Sequence, residues 1–357
     1  MNLMKKTIAV LTLTGLMVTG LGLPVLADGS VPELNKDKIE VTKHLVMAEG
    51  LDVPTETFRF TATAVTADAP AASIADISYS AADDKGALSA ESIYMLDKSA
   101  EIKFETFLHA GIYEYTVTEN SGNTEGITYD SAEYKMRVYV ANDENGQLSV
   151  QNITAEAADG KQDSLSFTNT YRKTGSLTIT KNTAGALADK TKDFTFTIRF
   201  IRSGTESDTV ISYTGEIGNE DVVCVIGKET QFQLHDGESL VFENLPVGTR
   251  YIVEEEGEKD GYTPSVNVIE NNVVTVKNVI TADENALSTA DVDSSNLVGE
   301  KENSVTFTNT YPEVPVTGVI VKHLPFVLLI VLPALALLLP MAVRSRRKMR
   351  GDHRCRW

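Results

Sequence analysis

The chain has 357 residues, with 50 Asp and Glu against 32 Lys and Arg for a net charge of −18. A surface with that excess repels nucleic acid and anionic membranes and argues against phosphate chemistry. Two cysteines, Cys224 and Cys355, are too few for a disulfide framework.

Residues 1–27 begin with Lys5 and Lys6, run through an apolar stretch from Thr7 to Leu26 and end in Val25-Leu26-Ala27. This is the form of a secretory signal peptide cleaved after Ala27, so the chain is read as exported; a retained membrane anchor is the other reading of the same residues.

From Asp28 onward the signal is strand. Apolar and polar residues alternate at Thr57–Val65, Tyr134–Val140, Phe194–Phe200, Phe232–Leu234, Ser239–Phe242 and Val273–Val276. Turn residues punctuate them at Asn145-Gly146, Asp159-Gly160, Asp236-Gly237, Pro246-Val247-Gly248 and Asp260-Gly261. Strands at that spacing predict an all-β protein of two tandem β-sandwiches, over residues 28–172 and 173–312. No long linker separates them, so they are expected to form a fairly rigid, elongated rod. Ala67–Ala90 and Thr281–Asn303 read as loops. Cys224, in the alternating run Val222–Ile226, reads as an ordinary buried strand residue.

One pattern occurs twice. Phe-Thr-Asn-Thr-Tyr stands at Phe167–Tyr171 and again at Phe307–Tyr311. In each, alternation puts the aromatic residue and the Asn on the core face, where an amide is costly unless something satisfies it. Upstream of each lies a strand-like run with an inward lysine, Lys43 and Lys181, and between them a Tyr-x-Val-x-Glu ending in Glu119 and Glu255. The Lys-to-Asn intervals are 126 and 128 residues and the Lys-to-Glu intervals 76 and 74. Two copies of one architecture is the simplest account. Burial lowers a lysine pKa toward the nucleophilic neutral amine and raises that of a carboxyl. Attack of Lys43 on Asn169, and of Lys181 on Asn309, with loss of ammonia would leave one amide crosslink per sandwich. Glu119 and Glu255 would serve as protonated acids that hydrogen-bond and polarise the Asn carbonyl. The plainer alternative points the lysines outward and leaves the glutamates as exposed strand charges. Lys36 and Lys38 are neighbouring candidates for the first set, with a poorer match than Lys43.

The C-terminal residues 313–357 carry a second signal. Val314-Pro315-Val316-Thr317-Gly318 precedes 20 uncharged residues, Leu324–Val343, and a basic tail. The apolar run is long enough to span a bilayer, and the tail suits the cytoplasmic side. The order resembles the cell-wall sorting signal of Gram-positive surface proteins, with Val314 where Leu is usual. In that family a sortase cleaves between the Thr and the Gly, here Thr317 and Gly318, and joins the Thr carbonyl to an amine. An ordinary single-span membrane protein is the other reading. The chain would touch the membrane only through this span, before cleavage.

Further stretches carry a wider resemblance. Thr57–Thr63, Gly111–Glu119, Gly126–Asp130 and the first Phe-Thr-Asn-Thr-Tyr resemble the N-terminal domain of streptococcal-type major pilins. Asp236–Ser239, Asn244–Thr249 and the following Tyr-x-Val-x-Glu resemble their C-terminal domain. The resemblance implies immunoglobulin-like domains with intramolecular isopeptide bonds, in a surface shaft where a sortase joins each subunit's Thr to a lysine of the next copy. It also implies minor pilins and cell-wall peptidoglycan as partners and a place outside the cell. In the family the acceptor lies shortly before the Asn strand, the position held here by Lys161, with Lys173 next. A singly wall-anchored adhesin binding host protein is the alternative. An enzyme acting on external substrates fits poorly: His44, His109 and His235 have no metal-ligand spacing, and no phosphate loop or Gly-x-Ser-x-Gly is present. No cofactor or metal is expected.

Overall fold

The computed structural model describes residues 34–36, 38–257, 260–280, 286–290 and 294–312. The signal peptide and the sorting signal, including Val314, Pro315, Val316, Thr317 and Gly318, lie outside the described residues. No described helix is long and apolar enough to cross a membrane.

The strands of the first half are β1 (Glu40–Ala48), β2 (Glu56–Ala64), β3 (Ala72–Ile74), β4 (Ile77–Tyr79), β5 (Ile93–Phe104), β6 (Gly111–Asn120), β7 (Ile127–Thr128), β8 (Glu133–Asn142), β9 (Leu148–Ala157), β10 (Gly160–Gln162) and β11 (Leu165–Tyr171). They form a five-stranded sheet, β3-β5-β1-β11-β7, facing a six-stranded one, β10-β9-β8-β6-β2-β4. The second half contributes β12 (Thr174–Ala184), β13 (Phe194–Ile201), β14 (Ser212–Ile217), β15 (Glu220–Val225), β16 (Glu229–Leu234), β17 (Ser239–Pro246), β18 (Arg250–Glu255), β19 (Thr263–Glu270), β20 (Val273–Ile280), β21 (Leu287–Ser288), β22 (Asn296–Leu297) and β23 (Ser304–Thr310). These make a seven-stranded sheet, β15-β14-β17-β12-β23-β19-β20, and a smaller one built on β16-β13-β18-β21, with β22 also on β18. The result is two tandem immunoglobulin-like sandwiches.

Period-two patterning explains which face each strand buries. Along β11 every second residue, Leu165, Phe167, Asn169 and Tyr171, is buried, and β23 repeats this at Val305, Phe307 and Asn309. Both stretches read as loops in the sequence contain short strands, β3 and β4 in the first and β21 and β22 in the second.

The two sandwiches share contacts. Val247, from the β17–β18 turn, is buried in the hydrophobic core of the first. Arg172 Nε donates to the Thr205 carbonyl at 2.6 Å, and the Arg250 guanidinium pairs with Glu49. A separate small unit holds Gly185–Leu187 with Tyr311 and Pro312.

Two buried lysine, glutamate and asparagine sites

In the first sandwich β1 and β11, its first and last long strands, lie side by side and parallel, with Lys43 opposite Phe167 and Leu45 opposite Asn169. Because both strands bury alternate residues, Lys43 and Asn169 project from the same sheet into the core. Glu119 reaches them from β6 in the facing sheet, where it stands opposite Phe60. Lys43 Nζ donates to Glu119 Oε2 at 2.6 Å and to the Phe167 carbonyl at 3.3 Å. Asn169 Nδ2 donates to Glu119 Oε1 at 2.5 Å. Lys43 and Asn169 are 0% exposed and Glu119 8%.

The second sandwich repeats the arrangement. β12 and β23 are parallel, Lys181 faces Phe307 and Thr183 faces Asn309, a register identical to that of the first site. Lys181 Nζ donates to Glu255 Oε1 at 2.6 Å, and Asn309 Nδ2 donates to the same oxygen at 2.7 Å. Glu255 again comes from the facing sheet, on β18 opposite Phe196. The structure therefore brings together both predicted sets of three.

Sequence reasoning missed the aromatic walls of these sites. Lys43 Nζ lies 4.7 Å from the centre of the Phe58 ring, and Lys181 Nζ lies 4.0 Å from that of Phe194. The rings shield each amine from water and place their negative faces toward it. The signal was present: Phe58-x-Phe60 and Phe194-x-Phe196 follow the two lysines at similar distances, and the second Phe of each pair stands opposite the glutamate.

Burial dominates the electrostatics. It lowers the Lys43 amine to about 8, against the pull of Glu119 in the other direction. It likewise raises the Glu119 carboxyl above its usual range, although Lys43 and Asn169 both oppose this. Both shifts favour a neutral amine beside a carboxylic acid, reached by moving one proton between them. A neutral amine sharing a carboxyl with an amide is a candidate nucleophile toward that amide's carbon.

One expected contact differs. Glu119 and Glu255 meet the asparagines through Nδ2 and not through the carbonyl oxygen. In the first site Asn169 Oδ1 instead accepts the backbone N–H of Asp130 at 2.7 Å, a residue that sequence reasoning gave no role. In the second, Asn309 Oδ1 is buried with no hydrogen-bond partner among the described residues.

The remaining candidates sit apart from these sites. Lys36 and Lys38, the alternatives to Lys43, are exposed. Lys161 is exposed on the edge strand β10, opposite Glu156 of β9. Lys173 is paired with Glu300, whose carboxylate, with Tyr171, raises its pKa. Cys224 is buried, which pushes its thiol up to about 11 and leaves it inert near neutrality. His44, His109 and His235 each pair with a carboxylate, Asp97, Asp68 and Glu238, at 2.6, 2.5 and 2.8 Å. Among the described residues no cluster of three or more His, Cys, Asp or Glu is arranged to hold a metal ion.

Comparison with known proteins gives these sites a context. Residues 39–172 match the Spy0128-like isopeptide containing domain, and residues 175–311 match a domain of unknown function, DUF7601. A pilin of Streptococcus pyogenes serotype M1 is 32% identical over 242 residues, which cover 65% of this chain and 68% of that one. The pilus tip adhesin Cpa of Streptococcus pyogenes is 42% identical over 94 residues, 26% of this chain but only 13% of the adhesin. A crystal structure of the major pilin from Streptococcus pyogenes aligns at 25% identity and a TM-score of 0.37, over 78% of this chain and 100% of that one. With identity of this extent across two thirds of a pilin, and two β-sandwiches along the chain, this protein belongs to the family of streptococcal-type pilins.

Proposed function

We propose that this chain is the polymerising shaft subunit of a sortase-assembled pilus, and that each sandwich closes one Lys-Asn isopeptide bond, Lys43 to Asn169 and Lys181 to Asn309. Membership of the pilin family makes it a pilus structural subunit at the surface of a Gram-positive bacterium, not an enzyme turning over external substrate. The observation that carries the crosslinking reading is the pair of fully buried Lys, Glu and Asn sites in identical strand register. A buried ion pair of this kind is a poor stabiliser by itself, because desolvation offsets the Coulomb gain. Its recurrence is better explained by chemistry than by stability.

The topology also suits a load-bearing subunit. The chain enters each sandwich on β1 or β12 and leaves it on β11 or β23, so a bond between these neighbours would carry tension from entry to exit without unfolding the strands between. Sortase would cleave between Thr317 and Gly318 and join Thr317 to Lys161 of another copy, and finally to peptidoglycan. Lys161 suits that role better than Lys173 because it is exposed on a sheet edge, whereas Lys173 is held by Glu300. Minor pilins would join the same polymer. The 94-residue likeness to a pilus tip adhesin supports a second reading, a singly wall-anchored adhesin.

Two measurements test this. The intact mass of the folded protein is expected to be lower than the sequence mass by two ammonia molecules, and an unshifted mass rules the crosslinks out. Wall material released from the native host and boiled in detergent should run as a ladder that Lys161→Ala collapses. A single band near monomer mass in the parent strain would favour the adhesin reading.

A further inference from the structure

The two sites differ where the new bond would form. In the second sandwich β19 stays in register with β23 from Thr263 to Ile269, so that Ser265, the counterpart of Asp130, is held in the ladder opposite Thr308, and Pro264, opposite Asn309, has no N–H to offer. In the first sandwich the β7 ladder ends at Thr128, opposite Thr170, and the chain turns away. Asp130 shapes that turn. Its Oδ2 accepts the Thr168 N–H at 2.6 Å and its Oδ1 accepts the Ala132 N–H at 2.8 Å. Held at both oxygens, it directs its own N–H onto Asn169 Oδ1 at 2.7 Å. The amide meanwhile presents Nδ2 to Glu119, as Asn309 does to Glu255.

From this we infer that Asp130 is a positioning residue for crosslinking in the first sandwich, where its backbone N–H polarises the Asn169 carbonyl and stabilises the developing oxyanion, a donor with no counterpart among the described residues of the second site. The inference rests on the crosslinking reading above. Glu119 first takes a proton from the Lys43 ammonium. Lys43 Nζ then attacks Asn169 Cγ, and negative charge gathers on Oδ1, within reach of the Asp130 N–H. As the tetrahedral centre collapses, the Cγ–Nδ2 bond breaks and Glu119 returns its proton to Nδ2, which leaves as ammonia. The proton shed by the attacking nitrogen restores the Glu119 acid, and the new amide keeps one hydrogen. Polarisation and proton transfer are thus divided between two groups. In the second site the contact of the Asn309 side chain among the described residues is with Glu255, so one carboxyl would serve both purposes.

A preorganised donor aimed at an oxyanion is worth about 100-fold or more in rate. The test uses the full chain recovered unreacted from inclusion bodies in denaturant and diluted into detergent buffer at pH 8, so that both sites start together. Samples quenched over time are proteolysed, and the peptide pair joined through Asn169 and the pair joined through Asn309 are quantified separately by mass spectrometry. The Asn169 crosslink is expected to form at least about 10-fold faster. Asp130→Pro, which removes the N–H, should slow it by about 100-fold, while Asp130→Ala, which keeps the N–H but frees the turn, should slow it less. Both variants remove the same carboxylate near Lys43, so the two should share a pH midpoint and differ only in plateau rate. The Asn309 crosslink in the same molecules reports that the chain has folded. Equal rates at the two sites of the parent chain, a comparison that needs no variant to fold, or an Asp130→Pro rate equal to that of Asp130→Ala, overturns the inference while leaving the crosslinks standing. Absence of crosslinked peptide at both sites removes the crosslinking reading itself.

Discussion

The first and second sandwiches hold the same three side chains in the same strand register, yet their surroundings diverge on one side of the asparagine. In the first, a short strand gives way to a turn and Asp130 supplies a donor to the amide oxygen. In the second, a continuous ladder with Pro264 in it leaves that oxygen without a partner among the described residues. The comparison separates what the proposed crosslinking would need, a buried amine beside a carboxyl and an amide, from what would tune it.

The largest expected effect comes from the glutamates. Glu119→Ala and Glu255→Ala should each restore one ammonia mass. Each should also lower stability by about 4–5 kcal/mol in denaturant unfolding, reasoning from the loop entropy of disulfides, since the bridged segments span 126 and 128 residues. If the glutamate carries the proton in both sites, neither variant should crosslink even over days, although the Asp130 N–H remains in Glu119→Ala. Crosslinking that persists in Glu119→Ala would show that the glutamate is not the proton carrier.

A smaller effect follows from the buried amine. In Asn169→Ala the first site cannot crosslink and Lys43 keeps its titratable group. Unfolded, the amine titrates near 10.5; folded, burial lowers it to about 8. Between these values the unfolded chain binds a proton that the folded chain does not, so stability rises with pH across that window. In a crosslinked parent this amine would be consumed. The stability gap between parent and variant should therefore narrow by on the order of 3 kcal/mol from pH 8 to pH 10.5. A gap that stays constant would mean the amine is not buried as a free base.

Two glycines give the smallest contrast. Gly126 and Gly261 precede the two asparagine-pairing strands, with φ of 83° and 82°. A Cβ at Gly126 would lie 2.2 Å from the Arg172 carbonyl oxygen, while one at Gly261 would meet nothing within 4 Å. Gly261→Ala should cost about 1 kcal/mol from backbone strain alone. Gly126→Ala should cost about 3 kcal/mol, because the end of β11 must move as well. Thermal melts of the two variants provide the check.

Much of the site was legible because it repeats. The spacing of Lys43, Glu119 and Asn169, echoed by Lys181, Glu255 and Asn309, pointed to inward-facing polar residues where a single copy would have read as surface charge. Other elements were hidden. β5, at 12 residues the longest strand among the described residues, has Asp97-Lys98-Ser99 at its middle, and this breaks the apolar alternation. Lys98 is half-buried on the same side of β5 as Leu96 and Ala100, and its amine donates to the Ser78 carbonyl at 2.6 Å and Asp83 at 2.7 Å. β3 and β4 lie in a stretch of Ala, Ser and Asp whose composition resembles a loop, and they exist because β5 and β2 offer them edges to pair with.

Alternation and repetition along the chain were enough to establish two β-sandwiches and the identity of the six buried polar residues, because period-two burial is a local property of a strand. That Nδ2 of each asparagine meets the glutamate was decided by packing across the sheets, and whether its oxygen finds a donor depended on the path of a neighbouring segment. Hydrogen bonds at 2.7 Å require positions set by packing across sheets, and a backbone N–H such as that of Asp130 has no letter of its own in the sequence.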